Sequence, residues 1–345
     1  LNLWDPYGAG KTVYVDNVTV STGMVAKAAA YDVAEGYVTI AHSDPCLIYG
    51  TSTVNTISVA PGTAANLTLS NLYVQTTNRY QCAFSVASNS TVNLSLVGSN
   101  YLMSGRQEAA LHVPKGASVG ITNGDALGKL TAIGGGQGPG IGGGHQASGG
   151  NVTINGGEIT AIGGFGAAGI GCGDFGMDGG VIVIAGGTVM AQGGGIGEGG
   201  CGAGIGGGNA SVGGIITITG GKVTATGGVD SWAEAAGAGI GGGHTKPGGL
   251  ITITGGTVFA VRGQQSWGAS SAQDIGAGGA TPEIGTNIII GGSIKTSANA
   301  VWGAPTDAES NRVYLLVVSN AVDGTNSVSI TLTNMQTGAT YSYEG

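Results

Sequence analysis

The stretch that most constrains this chain is a glycine cassette, Gly202-Ala203-Gly204-Ile205-Gly206-Gly207-Gly208, which returns unchanged as Gly237-Ala238-Gly239-Ile240-Gly241-Gly242-Gly243. Weaker copies surround Ile141, Ile170 and Ile275. Between the copies runs a second phrase, two short β-type runs joined by a glycine pair: Val152-Thr-Ile-Asn-Gly-Gly-Glu-Ile-Thr-Ala161, Ile216-Thr-Ile-Thr-Gly-Gly-Lys-Val-Thr-Ala225 and Ile251-Thr-Ile-Thr-Gly-Gly-Thr-Val-Phe-Ala260. A fixed-period repeat buries its apolar side chains by stacking on its neighbours, so it dictates a solenoid before any other element is considered.

Earlier runs extend the series: Ile57-Ser-Val-Ala-Pro-Gly62, Phe84-Ser-Val-Ala-Ser88 and Leu111-His-Val-Pro-Lys-Gly116. With the cassette isoleucines they give anchors at 57, 84, 111, 141, 170, 205, 240 and 275, separated by 27, 27, 30, 29, 35, 35 and 35 residues. Three strand-like runs per period, with no helical pattern between them, predict an all-β right-handed parallel β-helix, the handedness following the general preference of parallel crossovers. In each coil Ile216 and Ile218, or Ile251 and Ile253, would face the bore while Thr217 and Thr219, or Thr252 and Thr254, face solvent. Equivalent residues would stack in ladders about 4.8 Å apart. The glycine pairs would turn the corners, because glycine tolerates positive φ.

Three regions follow. Residues 1–37 hold a strand pattern, Lys11-Thr-Val-Tyr-Val-Asp-Asn-Val-Thr-Val20, and then an Ala-rich segment over 22–34, the one helix-friendly stretch, expected as an N-terminal capping helix. Residues 38–300 form the β-helix. Residues 301–345, with Arg312-Val-Tyr-Leu-Leu-Val-Val318 and Ser327-Val-Ser-Ile-Thr-Leu-Thr333, read as a C-terminal β cap or the start of a further domain. Gly8-Ala-Gly-Lys-Thr12 imitates the end of a phosphate-binding loop, but the motif's first glycine would fall on Asp5, and a strand pattern follows where a helix N-terminus is needed.

Composition narrows the function classes. Of 345 residues 73 are Gly, yet 41% are apolar in regular alternation and only 8 are Pro, which argues against disorder and collagen. Charged residues make up 9%, against roughly 25% in ordinary domains. The net charge is -8, and the 11 Lys and Arg are dispersed with no basic stripe, so no nucleic-acid partner is expected. No run is long enough for a transmembrane helix, and no membrane insertion is expected. The chain opens at Leu1 without Met or signal peptide, as expected of a processed or trimmed chain. Low charge, abundant Thr, Ser and Asn, and sequons at Asn17, Asn66, Asn89, Asn93, Asn151 and Asn209 suit an extracellular protein, secreted or at the cell surface. Cys46, Cys82, Cys172 and Cys201 show no zinc spacing; they read either as disulfides 46–82 and 172–201 or as buried free thiols.

On the GAGIGGG cassettes and the ITITGGxVTA phrases, the run from about 57 to 290 resembles the glycine-rich right-handed β-helix repeats of secreted proteins from anaerobic gut bacteria, often labelled as carbohydrate-binding-domain proteins. The resemblance implies the fold and an association with glycans. It does not fix an activity, since β-helices include polysaccharide lyases, glycoside hydrolases, adhesins and fibres.

Candidate chemistry sits where loops grow. The segment before the cassette lengthens in three consecutive coils, and in solenoids insertions on one edge mark the binding face. These loops carry Glu198, Asp230, Trp232, Glu234, Trp267 and Asp274 on an almost uncharged scaffold. Four residues after successive anchors come His145, Asp174, Asn209 and His244. The two sets would stand on opposite sides of a floor of bare glycine, with Trp232 and Trp267 stacking on sugar rings and the polar groups bonding hydroxyls. The competing reading is that the polar column fills turns and the tryptophans seal loops. Dinucleotide binding is set aside because no helix follows the cassette. The expected function is glycan binding along this groove. The alternative is an inverting glycoside hydrolase, whose carboxyls stand roughly 6.5 to 9.5 Å apart, using Glu198, Glu234 or Asp174. A polysaccharide lyase, which would need a Lys or Arg base and usually calcium-binding acids, ranks below it because only Lys222, Lys246 and Arg262 are nearby, and a structural adhesin or fibre module stands third. No cofactor is expected; calcium and oligomeric state stay open.

Overall fold

The structure, a computed structural model, describes residues 29–195, 200–229, 236–264, 271–280, 285–297, 301–303, 329–333 and 340–344. The anchors form one unbroken ladder. Val38 pairs with Ile57, then Phe84, Leu111, Ile141, Ile170, Ile205, Ile240 and Ile275 follow in parallel register across a nine-stranded sheet. The other two runs of each coil form two parallel ladders of an 18-stranded sheet. Strands such as Ile215–Ile218 and Lys222–Thr226 stack on Leu250–Ile253 and Thr257–Val261 of the next coil. This is a right-handed parallel β-helix.

The alternation of the repeat phrase explains the core. Ile205, Ile216, Ile218, Ala225 and Ile240 are fully buried, and Thr217 and Thr219 point outward. Each buried isoleucine contributes about 1.5–3 kcal/mol of hydrophobic stabilisation, and small Ala residues keep the bore narrow. At the corners the second glycine of each pair takes the conformation the turn needs: φ is 89° at Gly157, 82° at Gly187, 81° at Gly221, 85° at Gly256 and 86° at Gly292. Outward polar ladders add cross-coil bonds, as where Asn93 donates its amide to Asn66 over 2.9 Å. Tyr73 and Tyr101 stack with centroids 4.8 Å apart and 7° between planes, the coil spacing itself.

One expectation changes. No helix occurs among the described residues; in the Ala-rich segment, Ala29–Asp32 is a strand that pairs parallel with Cys46–Ser52, Ala29 opposite Cys46. Pairing with a waiting strand edge outweighs the helix propensity of three alanines. The strand pattern of 11–20 and residues 22–28 of the Ala-rich segment lie outside the described residues. At the other end the parallel order stops where Val301–Gly303 runs antiparallel to Ser293–Thr296, and Ser329–Thr333 pairs antiparallel with Thr340–Glu344.

Candidate functional site

The edge that carries the cassette is a closed seam. The backbone N–H four residues after each anchor donates to the carbonyl four residues before the preceding anchor: His145 to Gln107 over 3.0 Å, Asp174 to Gln137 over 3.0 Å, Asn209 to Gly166, and His244 to Cys201 over 2.9 Å. These bonds tie the turn after each cassette to the segment that enters the cassette of the coil before; of the acceptors only Cys201 belongs to the expected loop bank.

The cassette glycines are buried and do not form a bare floor; Cys201 to Asn209 are all buried. Coil stacking accounts for the glycine. Gly142, Gly171, Gly206, Gly241 and Gly276 have φ between 126° and 142°. A Cβ on Gly206 would lie 2.1 Å from the Gly241 carbonyl oxygen, and one on Gly171 would lie 1.9 Å from that of Gly206.

Along the seam runs a chain of side chains. Gln107 donates to Gln137 over 3.2 Å, Gln137 to the Asp174 carboxylate over 3.2 Å, and Asn209 to the other Asp174 oxygen over 3.1 Å. Asp174 and Asn209 are 7% and 5% exposed. Burial pushes the Asp174 carboxyl above its ordinary value, against the bonds from Asn209 and Gln137, the charge of His145 and the Phe175 N–H. Both residues thus hold the seam together more than they face solvent. His145 is half-buried with its Nδ1 unpartnered, and His244 is half-buried. Asp274, 8% exposed, takes hydrogen bonds from the Arg262 and Ser297 N–H groups, 2.8 and 2.9 Å, and from the Ser297 hydroxyl. It fastens the last coils to each other. Glu198, Asp230, Trp232, Glu234 and Trp267 lie outside the described residues. The stems of their loops are pinched together, Gly202 N–H to Gly194 carbonyl over 2.9 Å and Val229 bridged to Ala236.

The left-handed position of the turn is one residue beyond the polar column. It runs from Gly62, Asn89 and Gly116 through Gln146, Phe175, Ala210, Thr245 and Ala280, with φ between 55° and 88° throughout. Phe175 is the outlier in chemistry. A bulky side chain in this region costs energy, and Phe175 recovers little of it by packing, being 55% exposed. In the same coil Phe165 is 53% exposed, and Gly166 beside it abuts the Asp174 carboxylate, 2.7 Å from the place of a Cβ. Arg106 and Phe165 both border Gly136, where an added Cβ would be crowded by Arg106 at 3.0 Å and meet Phe165 at 3.7 Å. Phe165 and Phe175 escaped the sequence reading although the chain holds only 4 Phe and these two flank one cassette.

No disulfide joins the four cysteines, so neither the 46–82 nor the 172–201 pairing forms. Cys172 accepts the Gly208 N–H over 3.2 Å, and burial pushes its thiol up to about 11. Cys82 donates to Glu108 over 3.3 Å, and burial, then that carboxylate, raises it too. Among the described residues no group of three or more His, Cys, Asp or Glu could hold a metal ion, and no helix is long and apolar enough to cross a membrane.

A family model described as beta helix repeat matches residues 152–174, 216–244 and 251–279. Each match runs from the first strand of a coil, around the glycine corner and across the cassette to the turn beyond it. No curated protein and no solved structure matches the chain. On its ladders and its repeats, the chain is a parallel β-helix repeat protein.

Proposed function

We propose that the protein is a secreted or cell-surface glycan-binding β-helix that holds polysaccharide along the cassette edge, on its aromatic side chains. The observation that carries this reading is the exposed pair Phe165 and Phe175 on a scaffold that otherwise keeps its phenylalanines packed or at the margin of exposure, Phe84 at 0% and Phe259 at 36%. An aromatic face gives a sugar ring's C–H groups an apolar platform, as stacked contacts generally do. Arg106 beside Phe165 supplies donors for hydroxyls. Asp174 and Asn209 serve in this reading as positioning residues that fix the turn bearing Phe175. Trp232 and Trp267 extend the aromatic series along the sequence into the loops of later coils.

The test is retention on native gels containing a panel of polysaccharides, with reducing-end release followed in parallel. Retention without release, lost in Phe165→Ala, Trp232→Ala and Trp267→Ala, supports binding. Release that vanishes in Glu198→Gln or Glu234→Gln would replace it by hydrolysis. Neither retention nor release would leave a structural module. The reading calls for no cofactor, and retention abolished by EDTA would add calcium to it.

A further inference from the structure

On a different edge, the corner between the two ladders of the large sheet, one coil departs from the others. That corner is a single residue at Gly50, Asn71 and Gly98 and a glycine pair from Gly156-Gly157 onward, but in the coil between them it expands to Asn123–Gly128. The expansion is a built wall. Gly124 N–H donates to the Leu96 carbonyl over 2.6 Å, and the Asp125 carboxylate accepts the N–H groups of Leu127, 3.0 Å, and of Gly98 in the coil before, 3.3 Å. Its tip residue, Leu127, is 68% exposed.

Beneath this wall lies a pocket of about 240 Å³. Gly157 and Gly187 floor it, and Lys129, Glu158 and Thr188 line the far bank. Lys129 and Glu158 pair across the coils at 2.8 Å, half exposed. The glycine floor follows from the corner's φ values and the bank from the ladder register, Lys129 opposite Glu158 and Glu158 opposite Thr188; the wall does not follow from coil stacking.

We propose that this pocket binds a single neutral sugar ring, free or at the end of a glycan. Its volume is below the roughly 300 Å³ at which pockets for drug-sized ligands begin, which fits one ring. Its chemistry mixes donors (the Lys129 ammonium, the Asn123 amide, the Thr188 hydroxyl) with acceptors (the Asp125 and Glu158 carboxylates), as a ring of hydroxyls requires. The Leu127 side chain and the Lys129 methylenes offer an apolar wall to the ring's C–H face. A strongly charged ligand of either sign would meet a like charge within the pocket. The site is separate from the cassette edge, so either can fail without the other.

Saturation-transfer difference NMR of the intact protein with free glucose, galactose, mannose and N-acetylglucosamine tests it. At least one sugar is expected to give a transfer signal. That signal should be lost in Lys129→Met/Glu158→Gln and kept in Phe165→Ala, while polysaccharide retention should behave in the opposite way. An exposed ion pair contributes little stability, so the double variant should unfold at nearly the wild-type temperature and its loss of signal will not be a folding defect. No signal from any of the sugars, or a signal that survives the double variant, overturns the proposal. A signal lost only in Phe165→Ala also overturns it, by placing the sugar on the cassette edge.

Discussion

Asn209 donates its side-chain amide to the carboxylate of Asp174, 3.1 Å away in the preceding coil. Asp174 takes a second bond from Gln137 in the coil before that, so one buried carboxylate ties three coils together. Truncation in Asp174→Ala would remove the acceptor of both amides, that of buried Asn209 included. The expected loss is about 1–3 kcal/mol in urea unfolding; a loss within error of zero would mean that the seam does not depend on this carboxylate.

The same residue makes stability depend on pH. Burial raises the folded-state value of Asp174 above its ordinary 3.8. The folded chain then keeps this proton to higher pH than the unfolded chain. Its contribution is complete below the ordinary value and is lost as pH rises through the folded one. Wild type should therefore lose stability relative to Asp174→Asn as pH climbs through the carboxylate range. Urea midpoints of the two proteins measured across that range check the sign, and a gap that is flat or moves the other way contradicts it.

Cassette glycine is required by the neighbouring coil. Gly206 has φ 126°, and a Cβ there would sit 2.1 Å from the Gly241 carbonyl oxygen. Gly206→Ala is expected to cost about 3 kcal/mol or more, since a disfavoured backbone region alone costs about 1–3 kcal/mol. Thr217→Ala, on the outward side of its strand, should stay within about 0.5 kcal/mol of wild type. Equal effects from the two substitutions would count against the stacking described.

The thiols give a simple count. Cys46, Cys172 and Cys201 are buried, and the Cys172 thiol is pushed up to about 11. Native protein near neutral pH should react slowly with a thiol reagent, and unfolded protein should release all 4 cysteines. Recovery of none after unfolding without reductant would show that the cysteines pair.

The repeat made most of the fold legible. Ile57 through Ile275 could be picked out because apolar residues recur at nearly constant separation, and all of them meet in one ladder. The corner glycines could be assigned because only glycine takes φ near 85° at no cost. Three features were not legible. Ala29–Asp32 is Ala-rich, and only the waiting edge of Cys46–Ser52 makes it a strand. A run such as Gly206-Gly207-Gly208 looks the same whether it floors a groove or yields to a carbonyl of the next coil. The left-handed position has no residue signature, passing from Gly116 to Gln146, Phe175 and Thr245, one residue beyond the polar column of His145, Asp174, Asn209 and His244.

Phe175 joins the fold to the proposed function, because it holds a disfavoured φ of 55° while 55% exposed. If glycan binding is what keeps it there, stability and binding must move in opposite directions when it is replaced by glycine. The decisive measurement pairs the melting temperature of Phe175→Gly with its retention on polysaccharide gels. Relief of the left-handed strain is expected to stabilise the fold by about 1 kcal/mol, roughly 2 °C in Tm, while retention falls. Retention equal to wild type, or a fold that is weakened by the glycine, would contradict the account.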